Sequence, residues 1–266
     1  MYQLAIFDLD GTLVNSIADL GGTANRLLEQ RGLPTHPLDA YYRFVGNGVH
    51  KLCERCLPAD TPADEVERFF AAFNEDYSRH CLDKTAPYAG IPEVLEQLRS
   101  AGVHIAVASN KTQPFVEKIV KHYFGENGFD QILGSSDSRP KKPSPEIISV
   151  ILENAGMTPE QAVMIGDSNV DIRTAKNAGV HSIGCTWGFR GRDELAEAGA
   201  DLDLGGHTHD GQLFPGNILT GLMWENACGM KKVGDMYSIV TSGVGLWGPP
   251  MRIGTKAEVV IIDYGK

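Results

Sequence analysis

The chain has 266 residues, 42% of them hydrophobic, enough for one large domain or two ordinary ones with a packed core. A formal charge of -10 argues against nucleic acid as a partner, since a polyanion would be repelled, and favours a small ligand. The N-terminal MYQLAIFDLDG has no basic lead before an apolar run, and no stretch reaches the roughly 18 apolar residues of a bilayer span, so a cytoplasmic protein with no membrane partner is expected.

In chain order, short continuous apolar runs at 3–7 (QLAIF), 103–109 (VHIAVAS), 162–166 (AVMIG) and 180–185 (VHSIGC) have the length and composition of buried parallel strands. Between them, Ile91, Val94, Leu95 and Leu98 form one helical stripe, and Ile147, Ile148, Ile151, Leu152 and Ala155 another. The expected fold is therefore α/β: a Rossmann-like parallel sheet with helices on both faces. Residues 15–85 interrupt the alternation with helical segments, one marked by Ile17, Leu20, Ala24, Leu27 and Leu28 and others around 48–58 and 63–82. They predict an inserted helical cap, with 1–14 and 86–203 as the core domain. Cys53 and Cys56 form a CxxC with no second half, inside a helical pattern, and are expected to be ordinary thiols.

Open α/β sheets bind ligands beyond the carboxyl ends of their strands. Here those positions carry Asp8-Leu9-Asp10-Gly11-Thr12, Ser109-Asn110-Lys111, Lys141-Lys142-Pro143-Ser144-Pro145 and Gly166-Asp167-Ser168-Asn169-Val170-Asp171. Converging carboxylates repel unless a cation lies among them, and a few hard oxygen ligands suit Mg²⁺. A serine and a lysine at the same rim would hold phosphoryl oxygens. Singly, each residue also fits a turn, a helix cap or a loop.

IFDLDGTL, VASN, KKPSP and GDSNVD, in this order, resemble the four motifs of the haloacid-dehalogenase-like phosphatases, and the insert resembles that family's small helical cap. RFVGNGVHKLCERCL, PYAGIPEVLEQL and TWGFRG look most like phosphoglycolate phosphatases. The resemblance implies that Asp8 is the nucleophile, that Asp10 acts as general acid and base, and that Ser109 and Lys142 grip the phosphoryl group. It also implies Mg²⁺ held by Asp8, the Asp10 carbonyl and Asp167, with Asp171 supporting Lys142 or the metal waters. Gly11 and Asn110 belong to the substrate-binding rim. In the cap, Gly46, Asn47 and Gly48 offer backbone N–H groups to a small carboxylate, with Arg43 as its partner; the alternative is a plain loop with a solvated arginine. The expected substrate is a small-molecule phosphate ester such as 2-phosphoglycolate. A phosphomutase with the same nucleophile, or a fusion with impaired catalysis serving as a binding scaffold, are the competing expectations.

The last 63 residues carry 12 of the 30 glycines and strand-like segments joined by turns, which predicts a β-rich extension over 204–266. GGHTHDGQLFPGN and GLWGPPMR resemble the C-terminal part of calcineurin-like metallophosphoesterases, in which His207 and His209 would bind two different metals. The further ligands such a centre needs (an upstream DxH, GNHD and another histidine) are absent, so the pair is expected to be vestigial. Unpaired strands predict that the segment extends the sheet edge or pairs between protomers as a homodimer.

Overall fold

The structure, a computed structural model, describes residues 2–205, 229–233 and 236–240. The chain begins with β1 (Leu4–Phe7) and β2 (Val14–Asn15), then runs through four helices: α1 (Ile17–Gln30), α2 (Leu38–Phe44), α3 (Val49–Cys56) and α4 (Ala63–His80). It continues as β3 (Ala86–Pro87), α5 (Ile91–Ser100), β4 (His104–Thr112), α6 (Gln113–Phe124), β5 (Gln131–Ser135) and α7 (Glu146–Ala155). The remaining elements are β6 (Ala162–Gly166), α8 (Asn169–Ala178), β7 (His181–Cys185), α9 (Arg192–Ala198), β8 (Leu202–Gly205), β9 (Gly229–Val233) and β10 (Met236–Val240).

Eight strands form one sheet in the order β5-β4-β1-β6-β7-β8-β10-β9, parallel except for β9. Alternate residues of β1 enter different cores, as the two-residue strand repeat requires. Ala5 and Phe7 pack with Val116, Ile119 and Val120 of α6, whereas Leu4 and Ile6 pack with Ile147, Ile148 and Ile151 of α7. Helices therefore cover both faces, and every residue of β1 is buried. The stripe on α5 is narrower than its spacing predicts: Ile91 and Leu95 are buried while Val94 is exposed, because the helix meets the sheet along a single line.

β2 and β3 pair antiparallel, so the chain leaves the core and re-enters it through one two-stranded neck. Between these crossings, α1 to α4 enclose Leu20, Leu28, Tyr41, Leu52, Phe69 and Phe73. Cys53 and Cys56 are buried free thiols of α3, and burial raises the pKa of both, as befits packing residues.

After β8 the sheet continues: β10 pairs parallel with β8, and β9 pairs antiparallel with β10. Met236 of β10 packs with Ile172, Leu195 and Ala200, tying this hairpin to α8 and α9. The expected sheet-edge extension is thus observed for residues 229–233 and 236–240. His207, His209 and the GLWGPPMR and AEVVIIDY segments lie outside the described residues. Among the described residues no helix is long and apolar enough to cross a membrane.

Candidate active site

β1 is flanked by β4 on one side and β6 on the other, the place where an open parallel sheet leaves a crevice. Asp8 prolongs β1 by one residue, its N–H donating to the Ile165 carbonyl at 2.9 Å. The chain then closes a tight turn in which the N–H groups of Leu13 and Val14 both donate to the Leu9 carbonyl at 3.0 Å. Strand end followed by turn brings the carboxylates of Asp8 and Asp10 to the same rim.

Asp10 is held from two sides. Ser16 donates its hydroxyl to Oδ1 at 2.5 Å, and the Lys111 ammonium lies 3.0 Å from Oδ1 and 2.8 Å from Oδ2. Lys111 comes from the end of β4 and sits 4.8 Å from the ring centroid of Tyr77, a fully buried residue of the cap helix α4. Burial alone would lower the Lys111 pKa, but Asp10 and then Tyr77 outweigh it and push it up, so the lysine stays charged.

Lys142 serves the other carboxylate. Its backbone N–H donates to Asn110 Oδ1 at 2.8 Å and its carbonyl accepts from Asn110 Nδ2 at 3.1 Å, which pins the lysine's loop to the end of β4. The ammonium then reaches the Ala108 carbonyl at 2.8 Å, Asp171 Oδ1 at 2.6 Å and Asp8 Oδ1 at 3.0 Å. Here too burial opposes the charge, and Asp171 followed by Asp8 raises the pKa. Asp171 has a second duty: its Oδ2 accepts the Ser168 N–H at 3.1 Å and the Ser168 hydroxyl at 2.6 Å, a capping box that starts α8.

Asp167, at the end of β6, approaches so closely that neighbouring side chains must be absent. A Cβ on Gly11 would lie 2.2 Å from Asp167 Oδ2, and one on Gly188 would lie 2.2 Å from its Cβ. Gly11 also has φ +88°, a left-handed conformation that glycine adopts without strain. A glycine at this position thus leaves room for the Asp167 carboxylate. The Phe189 N–H donates to Asp167 Oδ2 at 2.6 Å.

Oxygens of Asp8, Asp167 and Asp171 all lie within 4.8 Å of one another. Burial, with the neighbouring carboxylates Asp171 and Asp10 adding to it against the pull of Lys142, raises the Asp8 pKa to about 7. Asp167 is raised well above the ordinary carboxylate range by burial, then by Asp171 and Asp8. Three carboxylates, Asp167 and Asp171 buried and Asp8 partly so, share one ammonium and are short of positive charge, and a hard dication fits that donor set.

The cleft above them is lined from the core by Asp8, Asp10, Ser109, Lys111 and Asp167, and roofed by Val45 to Leu52 of the cap, including Gly46 and Gly48. Asn110 Nδ2 donates to the Gly46 carbonyl at 3.2 Å, joining roof to floor. Arg43 does not line this cleft: it is exposed on α2, and among the described residues its carbonyl, not its guanidinium, is engaged. The cleft's arginine is Arg190, from the loop after β7, which donates to the Val45 carbonyl at 2.9 Å. Asn47 faces a neighbouring cavity and accepts from Arg55 at 2.8 Å. Lys111 and Arg190, together with Ser16, are charged or polar residues at the site to which the sequence analysis assigns no role. Lys111 was legible as the third residue of the strand-end SNK, and Arg190 lies within the TWGFRG already noted.

The chain matches the model of the haloacid dehalogenase-like hydrolases over residues 5–185. It is 36% identical over 202 residues to a phosphoglycolate phosphatase of Pseudomonas putida, covering 74% of each chain. It is 34% identical over 187 residues to one of Aquifex aeolicus, covering 70% of this chain and 86% of the other. Among solved structures it resembles a predicted phosphoglycolate phosphatase from Haemophilus somnus, with TM-score 0.72 and 29% identity over 76% of this chain and 93% of that one. It also resembles CbbY from Rhodobacter sphaeroides in complex with phosphate, with TM-score 0.62, 26% identity and the same coverage. The family match ends at Cys185, and these relatives lend no support to the metallophosphoesterase resemblance of the C-terminal segment.

Proposed function

The chain belongs to the haloacid dehalogenase-like hydrolases, and from that premise we propose that it hydrolyses small phosphate monoesters through an aspartyl-phosphate, with 2-phosphoglycolate as the leading substrate. The observation that carries this reading is the meeting of Asp8, Asp10, Ser109 and Asp167 around one cleft under the cap, with the Lys142 ammonium reaching Asp8 at 3.0 Å from the loop before α7.

In this reading an oxygen of the Asp8 carboxylate attacks phosphorus and the ester P–O bond breaks, while Asp10 gives its proton to the departing alkoxide. Asp10 then takes a proton from water, whose oxygen attacks the same phosphorus, releasing inorganic phosphate and restoring Asp8. Ser109 and Lys142 hold the phosphoryl oxygens, the lysine as a point charge and the serine as a hydrogen-bond donor. Lys111 and Ser16 keep the Asp10 carboxyl turned to the cleft. Mg²⁺ fits the acidic cluster and would be held by Asp8, Asp167 and the Asp10 carbonyl, with waters completing its shell. When bound it supplies positive charge to the phosphoryl group. Asp171 positions Lys142. The C-terminal His207 and His209 take no part in turnover.

The test is phosphate release by the full chain from a panel of small esters with Mg²⁺ and with Mn²⁺. Turnover that persists undiminished after chelation of the metal sinks the reading. An isomerised product without free phosphate would instead identify a mutase.

A further inference from the structure

The cleft over Asp8 adjoins a second cavity of about 350 Å³ between cap and core; Gly46, Ser168 and Arg190 line both. Three arginines face this second cavity: Arg55 of α3, Arg173 of α8 and Arg190, against one carboxylate, that of Glu194. In a chain of net charge -10 this is a local reversal of sign.

Among the described residues, none of the three guanidiniums has a carboxylate at hydrogen-bonding distance. Arg55 donates to the Phe44 carbonyl at 2.8 Å, to the Arg43 carbonyl at 3.4 Å and to Asn47 Oδ1 at 2.8 Å. Arg190 donates to the carbonyls of Val45 at 2.9 Å and Arg43 at 3.4 Å, with Glu194 Oε1 3.7 Å from its Nε. Arg173 is exposed and, among the described residues, has no ion-pair partner. Gathered like charges repel, and a compact oxyanion both relieves that repulsion and matches the planar donor fork of guanidinium. Glu194 shows that a carboxylate is accepted at this spot: its Oε1 takes the Asn169 N–H at 3.2 Å.

We infer that the arginine cavity is a second anion subsite, which seats a carboxylate or phosphate at the far end of the ester whose phosphoryl group reacts at Asp8. The reaction half of this inference rests on the hydrolase reading; the binding half rests on the arginines alone. Arg190, common to both cavities, is the specificity residue, in the place that sequence spacing offers to Arg43. The preferred substrates are accordingly esters whose leaving group is itself an anion.

The experiment compares 2-phosphoglycolate with 2-hydroxyethyl phosphate, in which a neutral hydroxymethyl group replaces the carboxylate. The full chain should prefer the former in kcat/KM by about 10-fold or more, the range expected for a hydrogen bond to a charged group. Arg190→Gln should remove that preference, and Arg173→Gln should reduce it by about 2- to 5-fold, as for an exposed charge. Turnover of 2-hydroxyethyl phosphate should change less than about two-fold in Arg173→Gln. Arg190 also holds cap carbonyls, so if Arg190→Gln loses both activities, Arg173→Gln decides. Calorimetry with 3-phosphonopropionate and propylphosphonate, which carry no hydrolysable ester bond, reads the subsite without turnover. If neither ester is hydrolysed but 3-phosphonopropionate binds more tightly in an Arg173- and Arg190-dependent way, the subsite stands and the hydrolase reading falls. Equal binding of the two phosphonates, or a preference untouched by either substitution, overturns the subsite. Arginine-dependent binding of inorganic sulfate with no discrimination between the esters would mark a free-anion site and overturn the assignment to the substrate's tail.

Discussion

The Lys111 ammonium lies 2.8 Å from Oδ2 of Asp10, with side-chain exposures of 1% and 13%. This buried pair joins the end of β4 to the turn after β1, under the cap's Tyr77. Removing one partner strands a charge in a poorly solvated place, which costs more than removing both. Lys111→Met is expected to lower the free energy of unfolding by about 3–5 kcal/mol, and Lys111→Met with Asp10→Leu to recover part of that loss. Urea denaturation of Lys111→Met, Asp10→Leu and the double variant checks it; losses that simply add would show that the pair is not a coupled unit.

Asp8→Asn removes the proposed nucleophile and leaves the backbone turn in place. Phosphate release should fall by at least about 10⁴-fold. His207→Ala combined with His209→Ala should leave the rate within a few-fold. If the histidine pair proves as necessary as Asp8, catalysis has been assigned to the wrong part of the chain.

Gly11→Ala places a methyl group where Asp167 Oδ2 lies, on a backbone with φ +88°. The strain is worth about 1–3 kcal/mol, and Asp167 must move. Weakened Mg²⁺ binding in a titration, with a native circular dichroism spectrum, is the expected result. Unchanged Mg²⁺ affinity would show that the position of Asp167 does not depend on this glycine.

The pH dependence follows from the raised carboxyls. With a pKa of about 7 for Asp8 without metal, against 3.8 as the ordinary value, the folded protein holds more protons than the unfolded chain between about pH 4 and 7. Stability from this group is therefore present at the acid end of that window and is lost as pH rises through it. A dication favours the ionised carboxylates, so Mg²⁺ binding should release protons and tighten as pH rises from 5.5 to about 8. Calorimetry in buffers of different ionisation enthalpy measures the proton release, and a binding enthalpy independent of buffer would contradict it.

Met236 is buried against Ile172, Leu195 and Ala200, and so ties the C-terminal hairpin to the core. Met236→Ala should cost about 2–5 kcal/mol in urea unfolding while leaving ester hydrolysis within two-fold. A negligible loss would mean that the hairpin contributes little to the stability of the sheet.

Local residue chemistry determined much of this protein before any folding. Apolar runs at β1, β4, β6 and β7 were visible because parallel strands buried on both faces need no alternation. β5 was not, because it lies at the sheet edge, is half-buried and carries a less apolar QILGS. The order of Asp8, Asp10, Lys142 and Asp167 along the chain was equally legible, since each occupies a strand end or the loop before a helix. Only the tertiary structure decided which lysine meets which carboxylate, Lys111 with Asp10 and Lys142 with Asp8 and Asp171, because Coulomb pairing acts through space across 101 and 29 residues of chain. It also put Arg190 rather than Arg43 at the cleft, because where a cap helix lies over the core depends on the packing of cap against core in one shared cluster, which no spacing within the helix encodes.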